Sequence, residues 1–441
     1  MKEKNLPPPF KIRLIEPIKL IPPEERRKVL GEAGYNPYLI PARYVYIDLV
    51  SDSGTSALSV EQISRGVIGD ESFSYQNGYF ELKQKVREIF GFPYVLPFHQ
   101  GRGIESCLFT VLIKKGNIIP SNTLFETTRA NIEMNGGEGL NIPAEKKGIF
   151  GGDIDIQKLD NIVKASNENI PFVLLTITNN SRGGLPISIK NLKYVRGILK
   201  RFNIPIFIDG SRYAENIYFN WKYEMKKRKL RDVLREFFSY SDLTYMSGKK
   251  DALSTIGGLL MTRSRKIYNR LVDIATLREG FPSHGGLSDR DIRVLSRGIE
   301  ESIDESYITY RVTQVHMFGE VLKELGIPIL EPIGGHAIYI RAKEIYPDAE
   351  FPAFLLAGDL FIEGGIRGSI LGGVLSNAGT EEYLRLAIPR RTYTDEHLIF
   401  VSEILKKILA KKREWDITIS YLPREMKIFA TRFKKINKKK R

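Results

Sequence analysis

A lysine with a serine and a glycine close by is the first stretch of this chain that could do covalent chemistry. It reads Met246-Ser247-Gly248-Lys249-Lys250-Asp251. The apolar run Leu243–Met246 precedes it and Ile256–Met261 follows, so the lysines sit on a turn between two expected buried strands. One amine beside hydroxyl and backbone donors suits a cofactor that joins an amine and needs its phosphate cradled, as pyridoxal phosphate (PLP) does. A solvated Lys-Lys turn has the same sequence, so the neighbouring residues must decide. His99-Gln100-Gly101-Arg102-Gly103 joins a strand to a helix N-terminus, where amides and a guanidinium suit a phosphate. Asp209 ends the strand Ile206–Ile208 and precedes Gly210-Ser211-Arg212. An aspartate there either caps a helix or keeps a pyridine nitrogen protonated. Phe125 follows Ser121-Asn122 and is either core or a ring stacked on a cofactor.

The elements that must position these residues alternate. Strands are expected at 46–50, 94–97, 173–178 and 206–209, and helices at 81–90 and 187–202, the latter with Leu192, Val195, Leu199 and Phe202 on one face. Such alternation predicts an α/β domain with a mainly parallel sheet, whose ligands lie beyond the C-terminal strand ends. After about residue 305 a long helix through Val312, Val315, Phe318 and Leu322 leads to strands at 335–340 and 384–388 and a last helix at 395–410. The expected organisation is an N-terminal arm over 1–45, packed near a small α+β domain over 306–433, a large domain over 46–305, and a basic tail over 434–441.

Composition narrows the class. The 441 residues are 42% hydrophobic, as in a soluble globular protein. Cys107 is the only cysteine, which excludes a disulfide framework and a multi-cysteine zinc site. No apolar run approaches the roughly 18 residues of a membrane span, and the start of the chain has no apolar core of a secretion signal. A cytoplasmic setting is the expectation. The balance of 67 basic against 52 acidic residues gives +15, part of it in Lys226–Lys229 and Lys438–Arg441. These runs lack interleaved aromatics and are read as surface, without nucleic-acid binding.

In their order these residues resemble the tryptophanase and tyrosine phenol-lyase family of PLP-dependent β-eliminating lyases, on the aspartate-aminotransferase-like fold (fold type I). The similarity runs from Pro9–Arg13 and Glu32–Asn36 through Asp52–Thr55, Pro97–Gly103 and Met246–Asp251 to Glu331–Ala337, Ile388–Arg391 and Phe429–Phe433. The resemblance implies that Lys250 bonds the cofactor and removes the Cα proton, and that Asp209 pairs with the ring nitrogen. It implies that Gln100, Gly101, Arg102 and Ser247 hold the phosphate, with Lys249 beside them. Phe125 would stack on the ring, with Asn180 and Arg212 near its phenolic oxygen. Arg390 would clamp the substrate carboxylate, with Ser51 and Phe429 also on the substrate side. Gly54, Glu71 and Thr255 would hold a monovalent cation, potassium, across a subunit boundary in a homodimer or homotetramer.

Departures from the family bear on substrate. Its acid tyrosine falls at Phe73, in Gly69-Asp70-Glu71-Ser72-Phe73, and a second tyrosine falls at His284. The arginine that marks tyrosine phenol-lyase falls at Leu371, and Glu126 matches an acidic residue of tryptophanase. His284 and Tyr75 are candidate replacements for the missing acid. The implied reaction is tryptophanase-like elimination of a β substituent, with ammonia and a keto acid, pyruvate from tryptophan. Carbon–sulfur elimination from cysteine-type substrates, a divergent tyrosine phenol-lyase activity and a non-catalytic PLP-binding protein are the alternatives.

Overall fold

The computed structural model describes residues 7–145, 148–375, 381–424 and 427–437, and the chain divides into two compact units. Ser53–Arg311 forms the larger. At its centre is a 7-stranded sheet in the order 94–98, 258–262, 243–247, 206–209, 173–176, 118–121, 138–141. Only Gly258–Thr262 runs against the rest, pairing antiparallel with both neighbours. Residues of Val173–Thr176, Leu243–Ser247 and Gly258–Thr262 are all buried, as expected where both faces of a sheet are covered. Helix Gly101–Leu112 covers one face through Ile104, Cys107 and Leu108, which pack with Phe207, Leu243 and Tyr245.

Helix Ile189–Lys200 buries Leu192, Val195 and Leu199 and opens at Ser188, whose hydroxyl accepts the Asn191 N–H. The helix expected at 81–90 begins earlier, at Asn77, because distant carboxylates cap it. Asp70 accepts the Asn77 N–H and Asp289 that of Gly78, each at 2.9 Å.

Met1–Asp52 and Val312–Arg441 form the smaller unit. Its main sheet has four strands in the order 47–49, 366–372, 382–387, 337–341. Helices Pro352–Gly364 and Asp395–Ala410 contribute to the same core, as do Val29 and Leu30 of the N-terminal arm. Two expected boundaries are corrected here. Ile47–Leu49, assigned to the large domain from its sequence, pairs parallel with Ile366–Gly368, and fully buried Ile47 and Leu49 join the smaller unit's core. Residues 434–437 are not tail: they continue strand Arg432–Asn437, paired antiparallel with Trp415–Tyr421. Phe433 anchors that strand in the core while Lys434 and Lys435, on opposite faces of the strand, are both exposed, so a charged stretch that reads as tail is a strand with one buried side chain. Lys438–Arg441 lies outside the described residues. Among the described residues no helix is long and apolar enough to cross a membrane.

Three carboxyls, Glu105, Asp153 and Glu382, are pushed up to about 7, in each case mainly by burial. Their stabilising neutral forms are fully present below the unfolded carboxyl range and are lost as pH rises through about 7. The carboxyls held low include exposed Asp70, mainly through the Asn77 N–H, and half-buried Asp160, mainly through Lys164, and they titrate below that window. His284, held low by burial, opposes the trend as a single partly exposed group. The thermal midpoint is therefore expected to fall as pH is raised from about 5 to about 8, measured by calorimetry. A midpoint that rises across that range contradicts this assignment.

Candidate active site

Five loops of the larger unit leave the C-terminal ends of parallel strands, and they carry most of the chemistry-bearing residues. Strand Leu243–Ser247 delivers Ser247 and then the turn Gly248–Lys250. Asp251 fixes that turn. Its carboxylate accepts the Ala214 and Glu215 N–H groups at 2.7 and 3.1 Å, at the start of helix Tyr213–Glu224.

Strand Ile206–Asp209 delivers Asp209. Ser211 donates both its N–H (3.0 Å) and its hydroxyl (2.7 Å) to Asp209 Oδ1. The same hydroxyl accepts the Ser247 N–H at 3.0 Å, tying the aspartate to the lysine-bearing turn. These bonds engage only one carboxylate oxygen, and the geometry suits a ring nitrogen at the other.

The phosphate candidates converge at the start of helix Gly101–Leu112. A Cβ added to Gly101 would lie 3.4 Å from Ser247 Cβ, so the start of the helix and the end of the lysine-bearing strand approach each other closely there. Gly258 is pinned more tightly: a Cβ there would fall 2.7 Å from the Gln100 carbonyl carbon. Beside this cradle the Lys249 ammonium is held below its ordinary value by burial and then by the Arg102 charge. Two neighbouring cations at a helix N-terminus suit a dianion, which would relieve their repulsion.

Phe125 is 37% exposed at the N-cap of helix Glu126–Met134, a ring available to stack on a ligand. The loop beneath it is held by Asn122, whose amide donates to the Gly152 and Thr176 carbonyls at 2.8 and 2.9 Å. Asn180 lies in a short 3-10 turn after Thr178, a non-glycine residue with φ of 47°. The Thr178 hydroxyl donates to the carbonyl of buried Arg212 at 2.8 Å, linking the loops of Asn180 and Arg212. One amine, one strand-end carboxylate, an anion cradle and an exposed ring on one sheet edge fit PLP.

The substrate candidates divide between the units. In the larger, Phe73 is 79% exposed and packs against Phe281 and His284, each with ring centroids 5.9 Å away. Burial holds the His284 imidazole below its ordinary value, and its Nδ1 accepts the Gly286 N–H at 3.1 Å. His284 is thus neutral near pH 7, with any remaining proton on Nε2. Tyr75 also packs against Phe281. Glu126 occupies the first turn of its helix.

In the smaller unit, Arg390 is 1% exposed and donates through Nη1 to the Asp52 carbonyl (3.0 Å) and carboxylate (3.1 Å). Arg385 donates to the other Asp52 oxygen at 2.9 Å. Asp52, next to Ser51, therefore orients Arg390, a role that spacing alone did not reveal. Leu371 pairs with Tyr383 in the sheet. Phe429 packs on Tyr38 at 4.8 Å, and the Tyr38 hydroxyl donates to the Ile370 carbonyl, so Phe429 stands near the strand of Leu371.

Of the cation candidates, Gly54 and Thr255 come together: a Cβ on Gly54, at φ 77°, would lie 3.4 Å from the Thr255 carbonyl oxygen. The Gly54 N–H also donates to the Lys249 carbonyl at 2.7 Å. Glu71 is engaged elsewhere in the chain, its carboxylate 3.0 Å from Arg290 Nε. Among the described residues no group of three or more His, Cys, Asp or Glu side chains is arranged to hold a metal.

The Beta-eliminating lyase family matches residues 48–404. A protein named probable tryptophanase from Aeropyrum pernix is 39% identical, covering 92% of this chain and 91% of its own length. Tyrosine phenol-lyase from Fusobacterium nucleatum is also 39% identical, over 96% of this chain and 97% of its own. The serine palmitoyltransferase structure from Sphingomonas wittichii superposes with a TM-score of 0.63 at 12% identity, covering 87% of this chain and 95% of that one. Threonine aldolase from Leishmania major gives 0.60 at 12%, covering 82% and 100%. At such low identity these two speak for the fold alone, which is fold type I. The family match spans most of the chain and two differently named relatives are equally similar, so the chain belongs to the β-eliminating lyase family.

Proposed function

We propose that this protein catalyses PLP-dependent β-elimination from an amino acid, with carbon–sulfur bonds cleaved more readily than carbon–carbon bonds. The observation that carries the reading is the clustering of Lys250, Asp209, Ser247 and the Gln100–Arg102 cradle at one sheet edge in a β-eliminating lyase. Bound PLP supplies an aldehyde that joins an amine and an electron-poor ring that stores the charge left by a departing proton. Gln100, Gly101, Arg102, Ser247 and Lys249 hold its phosphate, Phe125 stacks on its ring, and Asp209 holds a proton on its nitrogen. Asn180 and Arg212 donate to its phenolic oxygen. Lys250 takes the Cα proton, and Arg390 fixes the substrate carboxylate. The β substituent then leaves, and hydrolysis yields ammonia and a keto acid.

The preference for sulfur rests on Phe73 and His284, neither of which offers an acidic proton near neutral pH. A thiolate leaves without one, since free thiols have a pKa of about 8.5. Tryptophanase-type cleavage is the second reading, favoured by Glu126 and by the tryptophanase-named relative. Keto-acid release from a panel of β-substituted amino acids, with and without added PLP, tests the proposal. Release that requires PLP supports it; no release from any member of the panel contradicts it.

Gly54 and Thr255, with Glu71 of a neighbouring copy, form the proposed potassium site of a dimer or tetramer in the cytoplasm. A fully active monomer indifferent to potassium and ammonium would contradict that assembly. Replacing Arg390 with lysine keeps a charge beside Asp52 but removes the planar fork. That variant is expected to lose about 10²-fold in kcat/KM, mostly through KM, the size of one charged hydrogen bond. An unchanged KM would remove Arg390 from the carboxylate.

A further inference from the structure

Glu105 is a carboxyl that the reaction scheme leaves unused, yet it sits one turn into the helix that opens at Gly101. It is 4% exposed. Its Oε1 accepts the hydroxyl protons of Thr128 and of Tyr245, the latter at 3.2 Å, and its Oε2 accepts from Thr127 at 3.3 Å. Thr127 and Thr128 lie in the first turn of the helix whose N-cap is Phe125. Tyr245 is two residues before Ser247 and stands opposite Asp209 in the parallel pairing, so its side chain shares a sheet face with that aspartate. The charges of Asp209 and Lys250 both act on Glu105. Its bonds to Tyr245, which stands opposite Asp209, and to the first helical turn after Phe125 place it between those two elements.

We propose that Glu105 is a positioning residue for the cofactor, its buried carboxyl joining the Phe125 shelf, the strand that carries Ser247–Lys250 and the helix that opens the phosphate cradle. The proposal rests on the PLP reading above. A leucine of similar volume would fill this space without the cost of desolvating a carboxyl. What the carboxyl adds is three directed bonds to the elements that set the gap between Phe125 and the sheet. A ring inserted into that gap needs its width held to a fraction of an ångström. Burial raises this carboxyl to about 7, so near neutral pH it adds less than a full second charge to that of Asp209.

The test uses the full chain and PLP itself, read by absorbance titration and by visible circular dichroism per bound cofactor. Native protein that takes up no PLP overturns the functional reading, and this is seen before any variant is made. Glu105→Gln keeps the shape and an acceptor oxygen, and is expected to bind PLP within about threefold of native with the same dichroism. Glu105→Ala loses all three bonds and is expected to bind about tenfold or more weakly, with smaller dichroism per cofactor. A purely structural role would lower the thermal midpoint and leave the dichroism of bound PLP unchanged. A folded Glu105→Ala protein with native affinity and native dichroism overturns the proposal. If that variant does not fold, Thr128→Val removes one bond only. It is expected to weaken PLP binding several-fold, and native behaviour in it overturns the proposal equally.

Discussion

Lys250→Ala is expected to lower keto-acid release by at least about 10⁴-fold, the upper end of what one positioned base contributes. The variant loses the covalent anchor for the cofactor as well as the base, so the two effects combine. Lys249→Ala is the informative control. Its ammonium stands beside Arg102 at the phosphate cradle, so its loss should weaken PLP binding and leave turnover at saturating PLP within a few-fold, of the size of a partly exposed charge contact. Steady-state assays at several PLP concentrations separate the two. A larger loss of turnover in Lys249→Ala than in Lys250→Ala would mean that the adjacent lysines have been assigned the wrong way round.

The second large effect concerns the leaving group. Expelling indole or phenol breaks a carbon–carbon bond, and the ring carbon must gain a proton as it departs. A positioned acid contributes roughly 10²–10⁴-fold to such a step. Phe73 has no proton to give, and the half-buried, neutral His284 beside it is a weak acid. S-methylcysteine is therefore expected to exceed tryptophan and tyrosine in kcat/KM by about that 10²–10⁴-fold factor. Phe73→Tyr should raise the tryptophan rate and leave the thioether rate unchanged. If the native protein cleaves tryptophan as fast as the thioether, and His284→Ala changes neither, the missing acid has no consequence for the reaction.

The fold class was legible because its signals are local. The apolar runs at 173–178, 206–209 and 243–246 and the helical stripe of Leu192, Val195 and Leu199 report burial and period directly. The two misplaced boundaries were not local. Ile47–Leu49 reads as a strand, but its partner, Ile366–Gly368, is more than three hundred residues away. The lysines of 434–437 hide a strand whose only buried side chain in its first residues is Phe433.

At the candidate site, the sequence pointed to residues that carry a reactive group and missed those that hold them. Ser211 between Asp209 and Ser247, Asp251 under the lysine turn and Asp52 behind Arg390 are ordinary polar residues in sequence. Their significance lies in hydrogen bonds between separate loops. Asp251, Ser211 and Asp52 all lie within the named motifs, and that membership was their only signal. Glu105 offered only its place four residues after Gly101; two of its partners lie 22 and 23 residues on, in the next helix, and the third 140 residues on.

The central claim is that one amine, Lys250, holds the cofactor. Native protein mixed with PLP, reduced with borohydride and digested should give a single phosphopyridoxyl-bearing peptide, with fragmentation placing the label on Lys250. A label on Lys249, a label spread over surface lysines, or no label at all would contradict the account.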